Sequence, residues 1–293
     1  EQPAVQENVS VLAERGVTIV GPEHGRLAGG DVGAGRLADP VDILAAIDSI
    51  LGSDGSTSGG DMAGLEVLVT AGGTREPICP VRYVGNRSSG KQGHALARAA
   101  AARGAKVRCV TTQPETAPDI IGVQVLAVET AAEMATAVLS NSATADIVLM
   151  AAAVADFRPV EVAGSKLKKA DGTPEIMLEP TTDILAELGR NRSPGQVLVG
   201  FAAETDDLRQ NATSKLESKG IDMIVANDVS ASGVGFGHDT NAVLLLDRSG
   251  GATEVPLSEK HQVAVAVLDA ALGCLHNARD AGGATGHGED VNR

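Results

Sequence analysis

Apolar residues along this chain come in short aliphatic runs, and polar segments with helical spacing separate them. Runs at 65–69, 105–111, 123–128, 146–153, 197–201, 223–227 and 242–246 consist largely of Val, Ile, Leu and Ala, and they predict buried strands. Between them, apolar positions recur every three or four residues and predict helices. One such helix follows Gly90. Thr130 with Glu133 three residues on makes a capping-box pattern for a helix reaching Asn141. Thr181-Thr182-Asp183 caps another, and residues 204–219 and 258–272 complete the set. Strands alternating with helices at this pitch predict an α/β fold: a doubly wound, mostly parallel, Rossmann-like sheet. One stretch breaks the alternation. Between Ser165 and Glu179, Lys166-Leu167-Lys168-Lys169, Asp171-Gly172 and Ile176-Met177-Leu178 predict an inserted, protruding β-hairpin around a DG turn, placed to contact a partner subunit.

The first 63 residues read differently. A strand-like run at 17–20 and a glycine-rich loop over 21–36 precede Asp39-Pro40, which opens an amphipathic helix over 41–51. This piece is too small to bury a core alone. Residues 52–63, which include GSDGSTSGG, are expected to be a flexible linker, and residues 64–275 the main domain. Residues 276–293, rich in Gly, Ala, Asp and His, are expected to be a disordered tail. The chain opens at Glu1 without Met, so it is expected to be a fragment of something longer.

Composition narrows the partners. Hydrophobic residues make up 43% of the chain and aromatics only 1%, so the core must be aliphatic. A net charge of −14 argues against a general nucleic-acid surface. Cys79, Cys109 and Cys274 lie far apart and form no CxxC pair, which indicates neither a disulfide framework nor a zinc site. His238 and His261 have no companion at metal-ligand spacing, and His94 within a helix reads as structural. No apolar run approaches the ~20 residues that span a bilayer. No signal peptide opens the chain, so a reducing cytoplasm is the expected compartment.

Candidate chemistry gathers where the first strand ends. Ala71-Gly72-Gly73-Thr74-Arg75 follows the first apolar run, and Gly85-Asn86-Arg87-Ser88-Ser89-Gly90-Lys91-Gln92-Gly93 leads into the first helix of the main domain. Backbone N–H groups and a helix dipole at such a place form a cradle for phosphate. Residues 85–91 satisfy GxxxxGK, yet Gln92 stands where a P-loop needs Ser or Thr for magnesium. An NAD site wants an acidic residue after the second strand, where Thr111-Thr112 stand instead. A P-loop kinase or NTPase, and a non-catalytic nucleotide-binding module, remain as alternatives. In a doubly wound sheet the strand ends at 71–75 and 151–158 face one crevice. Asp156 there can cap a helix, hold a sugar hydroxyl or hold a magnesium ion. Lys166 and Lys168 would share one strand face, although a solvated edge is the plainer reading of a lysine run.

A resemblance sharpens this. VLVTAGGTREP at 67–77, NRSSGK at 86–91, AAAVADFRP at 151–159, KLKK at 166–169, GFAAET at 200–205 and ANDV at 226–229 resemble the phosphopantothenate–cysteine ligases of bacterial coenzyme A biosynthesis, in family order from about residue 64 to residue 272. Gly21-Pro22-Glu23 and GAGRLADP at 33–40 resemble the C-terminal end of the flavin-dependent decarboxylase to which that ligase is commonly fused, so residues 1–51 are expected to be its remnant. The resemblance implies CTP-dependent joining of 4′-phosphopantothenate to L-cysteine through an acyl-CMP intermediate, with release of pyrophosphate and CMP. Mg2+ would be held mainly by the CTP phosphates.

Asn86 and Lys166 are implied as catalytic. Gly72, Gly73, Met150, Ala151, Ala152, Asp156, Lys166, Thr182, Asp183, Ile184, Leu185, Phe201, Lys215 and Lys219 are implied on CTP, although Thr182 replaces an expected proline. Asn86, Ser88, Ser89 and Gly90 are implied on the acid substrate. A homodimer through the ligase domain and a higher oligomer in the fused parent are implied, with no nucleic acid and no membrane. FMN is expected only for a complete decarboxylase domain. Ala28-Gly29-Gly30-Asp31 stands where that enzyme's flap usually carries Ala-Cys-Gly-Asp or Ala-Cys-Gly-Glu, so decarboxylation by this chain alone is not expected.

Overall fold

The computed structural model describes residues 2–27, 29, 31–38, 40, 43, 46–47, 50, 60–169, 172–204, 207–228, 235 and 237–283. The chain divides into two compact units, Glu1–Ala63 and Gly64–Arg293. In the first, helix α1 (Pro3–Glu14) starts with a proline in its first turn, where the missing N–H costs nothing. Strands β1 (Glu23–Arg26) and β2 (Val32–Arg36) pair antiparallel. The expected strand at 17–20 is absent, and the arms of the expected glycine-rich loop are this hairpin. Most of the expected helix over 41–51 and all of residues 51–59 lie outside the described residues.

The second unit is built on one sheet. Its first half comprises β3 (Glu66–Ala71), β4 (Arg75–Cys79), β5 (Arg82–Gly85), α2 (Lys91–Ala102), β6 (Lys106–Thr111), β7 (Val123–Ala127), α3 (Ala131–Ser142) and β8 (Ile147–Met150). Next come the short β9 (Phe157–Pro159) and β10 (Leu178–Pro180), then α4 (Ile184–Arg190) and β11 (Val197–Glu204). Helix α5 (Leu208–Lys219), β12 (Met223–Asp228), β13 (Thr240–Asp247), β14 (Ala252–Glu259) and α6 (Lys260–Gly283) close the unit.

The eight-stranded sheet runs β14-β13-β12-β11-β8-β3-β6-β7. From β12 to β7 the pairs are parallel; β13 and β14 add an antiparallel edge. The chain starts this sheet in the middle, at β3, builds outward through β6 and β7, then returns to β8 and builds the other way. The strand order therefore reverses between β3 and β8, the place where doubly wound folds bind ligands.

Alternation along the strands explains the layers. Leu68, Val148, Leu198 and Ile224, on four neighbouring strands, pack into one core cluster with Met134 and Val138 of α3, Leu188 of α4 and Leu216 of α5. Val67 and Val69, one residue away on β3, are equally buried and face the opposite layer. A parallel sheet covered on both faces needs such unbroken aliphatic runs, and each side chain buried contributes about 1.5–3 kcal/mol.

Helix α3 starts as its sequence pattern requires. Glu133 N–H donates to Thr130 Oγ1 at 3.2 Å, and Thr130 N–H donates to Glu133 Oε2 at 3.2 Å. Glu76, buried on β4, adds a further cap by accepting Ala131 N–H at 2.8 Å.

Three expectations need correction. The ribbon inserted in the fold pairs β9 with β10, Phe157 opposite Pro180, and residues 160–177 form its long connection. Lys166-Leu167-Lys168 is not a strand, and Asp171 lies outside the described residues. The Leu167 carbonyl accepts from Arg82 Nη1 at 2.9 Å instead of from a neighbouring strand. Second, β4 and β5 form another ribbon, and β14 adds an edge strand, neither foreseen. Third, α6 continues through Gly283, past the expected tail start.

Candidate active site

The carboxyl ends of β3 and β8 do not open into an empty cleft. Gly73 and Ala153 pair as an isolated parallel bridge beyond both strands. Ala153 N–H donates to the Gly72 carbonyl at 2.8 Å, and Thr74 N–H donates to the Ala153 carbonyl at 3.3 Å. Two buried hydroxyls add stitches: Thr70 Oγ1 accepts Ala152 N–H at 3.0 Å, and Thr74 Oγ1 accepts Ala155 N–H at 2.9 Å. Thr74 stood in the glycine cluster that the sequence singled out, whereas Thr70 did not stand out, although a hydroxyl at the end of an aliphatic run is a signal of this kind.

Over that seam comes the loop between β5 and α2. Asn86 Nδ2 donates to the Ala153 carbonyl at 3.3 Å and the Val154 carbonyl at 3.2 Å. A Cβ on Gly73 would sit 2.5 Å from the Asn86 carbonyl oxygen, so that residue must be glycine for the two loops to touch. Gly72 adopts a φ of 88° and Gly90, the residue before α2, a φ of 78°. The implied residues Gly72, Gly73, Asn86, Gly90, Ala151 and Ala152 are therefore gathered at one rim, with Ser88 and Ser89 in the connecting loop.

The rim continues toward β11. Gly200 pairs with Met150, the last residue of β8, and Phe201 follows it, half-buried. The Asp156 carbonyl accepts Thr181 N–H at 2.9 Å, which brings the residues leading into α4 alongside. Asp183 Oδ1 caps α4 by accepting Ala186 N–H at 3.0 Å, while Oδ2 holds the Lys219 ammonium at the end of α5. Burial pushes the Asp183 carboxyl up, but Lys219, Ala186 N–H and Arg190 outweigh it and hold it below the usual carboxylate value. Ile184 is buried, Leu185 packs at Gly200, Thr182 is exposed, and Lys215 is exposed one turn before Lys219.

Lys166 lies on the long connection between β9 and β10. It is exposed, and its segment is tied through Leu167 to Arg82 on the β4–β5 ribbon.

The GxxxxGK reading does not survive the geometry. The strand before it, β5, lies on the exposed ribbon rather than in the sheet, and Lys91 forms an ion pair with Asp239 at 2.6 Å. Gln92 is engaged as well, donating to the Lys260 carbonyl at 3.1 Å. His94 lies 3.0 Å from Thr111 Oγ1, and burial, then Arg98, pushes it down to about 4, so it stays neutral. Among the described residues, no three His, Cys, Asp or Glu side chains converge on one point. A magnesium ion at this rim would meet single carboxylates, Asp156 and Asp183, and would need ligands from the bound phosphates.

Known proteins are similar to this chain in sequence and fold. Residues 62–274 match the family described as the DNA/pantothenate metabolism flavoprotein C-terminal domain. A protein of an unidentified prokaryote, named cysteine/cysteine sulfinic acid decarboxylase, is 42% identical over 94% of this chain and 76% of its own length. The coenzyme A biosynthesis bifunctional protein CoaBC of Bacillus subtilis is 43% identical over 92% of this chain, and the match spans only 65% of that protein. The crystal structure of the C-terminal domain of a CoaBC protein superposes with a TM-score of 0.62 at 37% identity, covering 74% of this chain and 98% of that one. Both strand-end loops and the inserted ribbon fall inside the matched residues, and the chain belongs to the DNA/pantothenate metabolism flavoprotein C-terminal domain family.

Proposed function

We propose that this chain is a phosphopantothenate–cysteine ligase of coenzyme A biosynthesis that uses CTP and works in the cytoplasm. The observation that supports the reading is the delivery of the Asn86 carboxamide onto the Ala153–Val154 turn, beside residues that the resemblance implies on the nucleotide.

A carboxylate oxygen of 4′-phosphopantothenate attacks the α-phosphorus of CTP, the bond from that phosphorus to the bridging oxygen breaks, and pyrophosphate leaves. The amine of L-cysteine then attacks the acyl carbon, CMP departs with the phosphate oxygen, and the amine proton passes to solvent. Asn86 orients the carboxylate with N–H donors, which bind an anion without trapping it as an ion pair. Lys166 neutralises charge on the reacting groups. Gly72, Gly73 and Gly90 bring backbone N–H groups to phosphate. Lys215 and Lys219, four residues apart on α5, can reach one ligand. Mg2+ bound to the phosphates would supply charge neutralisation for the leaving group.

The assay mixes the chain with Mg2+, 4′-phosphopantothenate, cysteine and each nucleoside triphosphate in turn. Pyrophosphate release that requires both CTP and the acid is expected; release of inorganic phosphate, or binding without turnover, would overturn the ligase reading. No flavin step is assigned to this chain, because Gly29 stands where the decarboxylase flap usually has cysteine.

The active form is proposed to be a homodimer. Val81 and Tyr83 on one ribbon, with Phe157, Leu178 and Met177 on the adjacent one, are all exposed, and apolar groups clustered this way mark interaction surfaces.

A further inference from the structure

Gly189 of α4 and Gly200 of β11 are glycines for which backbone freedom is no explanation, since neither adopts a left-handed φ. Glycine inside a helix or strand costs about 0.5–1 kcal/mol relative to alanine, so each asks for a packing reason. The reason is close approach. A Cβ on Gly200 would lie 2.8 Å from a Leu185 methyl and 2.9 Å from an Ile221 methyl, both at the ends of flexible side chains. On Gly189 it would overlap the Lys219 carbonyl oxygen and lie 3.1 Å from the carbon of that carbonyl. Lys219 is the last residue of α5, and helix backbone does not swing aside as a methyl end can.

Lys219 thus meets α4 twice. Its backbone lies against Gly189 near the end of that helix, and its ammonium pairs with the N-cap, Asp183, at the start. Asp183 is itself fixed, because it accepts Ala186 N–H at 3.0 Å. Just past both helices, Arg192 Nη1 donates to the Gly220 carbonyl at 3.4 Å and to Asp222 Oδ1 at 3.0 Å. The end of α5 is therefore drawn toward α4, and the contact at Gly189 sets how near it comes. A lysine stem is flexible, but its reach is bounded by the backbone that carries it.

We propose that Gly189 is a positioning residue: by admitting the last carbonyl of α5 to contact, it sets the place of Lys219, and of Lys215 one turn earlier, at the nucleotide rim. The inference rests on the ligase reading for what those lysines bind, but not for where they are held.

Gly189→Ala is compared with Gly273→Ala on α6, where a Cβ meets nothing within 4 Å. In calorimetry with Mg2+, Gly189→Ala should weaken CTP binding by the full chain about tenfold, while the KM for 4′-phosphopantothenate and for cysteine change less than about twofold. Gly273→Ala should match the parent throughout. A second measurement needs no ligand. Burial raises the Asp183 carboxyl, yet Lys219 and then Ala186 N–H bring it below 3.8. Its NMR titration should therefore move upward in Gly189→Ala, as it should in Lys219→Ala.

An unmoved Asp183 in a folded Gly189→Ala chain would overturn the inference, as would equal losses for all three substrates. Failure of Gly189→Ala to fold where Gly273→Ala folds would make the contact a demand of the fold and overturn it as well. Lys219→Ala leaves Gly189 in place, and an Asp183 that still titrates low there would remove the pair that Gly189 is said to place. If the parent chain binds no CTP, the ligase reading fails, and the Asp183 titration alone decides the placement.

Discussion

Asn86 shows how a single side chain can be committed before any ligand arrives. Its amide donates to the Ala153 and Val154 carbonyls, so a carboxylate must draw those N–H groups away from backbone oxygens that hold them. Binding is then an exchange of acceptors, favoured because a charged acceptor bonds more strongly than a neutral one. This qualifies the obvious substitution. Asn86→Asp would set a carboxylate against two carbonyls and displace the loop, confusing geometry with chemistry. Asn86→Ala is the cleaner variant. It should slow acyl-CMP formation by about 10²-fold, the order expected for losing one oriented donor. Rapid-quench measurement of pyrophosphate checks it, and a variant turning over at the parent rate would remove Asn86 from the reaction. The glycines and Asn86 were visible in the sequence as a cluster. Which of them touch each other was not, since the pairing of Gly73 with Ala153 links residues eighty positions apart.

Among the elements, α2 is tied to the sheet through a titratable contact. His94 of α2 meets Thr111 of β6 while neutral, and burial followed by Arg98 holds it near 4 against an ordinary value of 6.5. The folded state thus resists the proton that the unfolded chain accepts. Its contribution is fully present above pH 6.5 and is lost as pH falls from 6.5 through about 4. At about 1.4 kcal/mol per pKa unit, the loss is on the order of 3 kcal/mol. Urea denaturation at pH 7.5 and pH 4.5 should show that share of the acid destabilisation missing from His94→Gln, where the amide can still reach Thr111. Equal losses in both proteins would assign the effect to other groups.

The sheet itself was legible because its strands are buried on both faces and read as aliphatic runs. Elements at its margins were not. β14 contains Pro256 and has mostly exposed positions, and β5 has no buried residue, so neither carries a hydrophobic period. Lys166-Leu167-Lys168-Lys169 alternates like a strand, yet the Leu167 carbonyl is engaged by the Arg82 side chain from another ribbon. Long-range backbone capture leaves no mark on local pattern.

At the scale of the whole molecule, the two ribbons leave Tyr83 57% and Phe157 51% exposed, in a chain of strongly acidic net charge. β4 lies against β9, so the two ribbons are neighbours. A dimer buried there should persist to about micromolar concentration, and Tyr83→Glu with Phe157→Glu should dissociate it by placing charges in its centre. Light scattering or sedimentation reads the outcome; a parent chain that is monomeric at about 50 μM would exclude this dimer.

The seam between β3 and β8 has its own consequence. Hydrogen bonds continue past both strand ends, so the halves of the sheet cannot part where such folds usually admit their ligand. Whatever binds must be taken in and let go from above. Turnover would then be timed by the overhanging Asn86 loop, while the scaffold beneath stays a fixed floor. Changes of substrate in related chains would be written in that overhang, and the floor could be inherited unaltered.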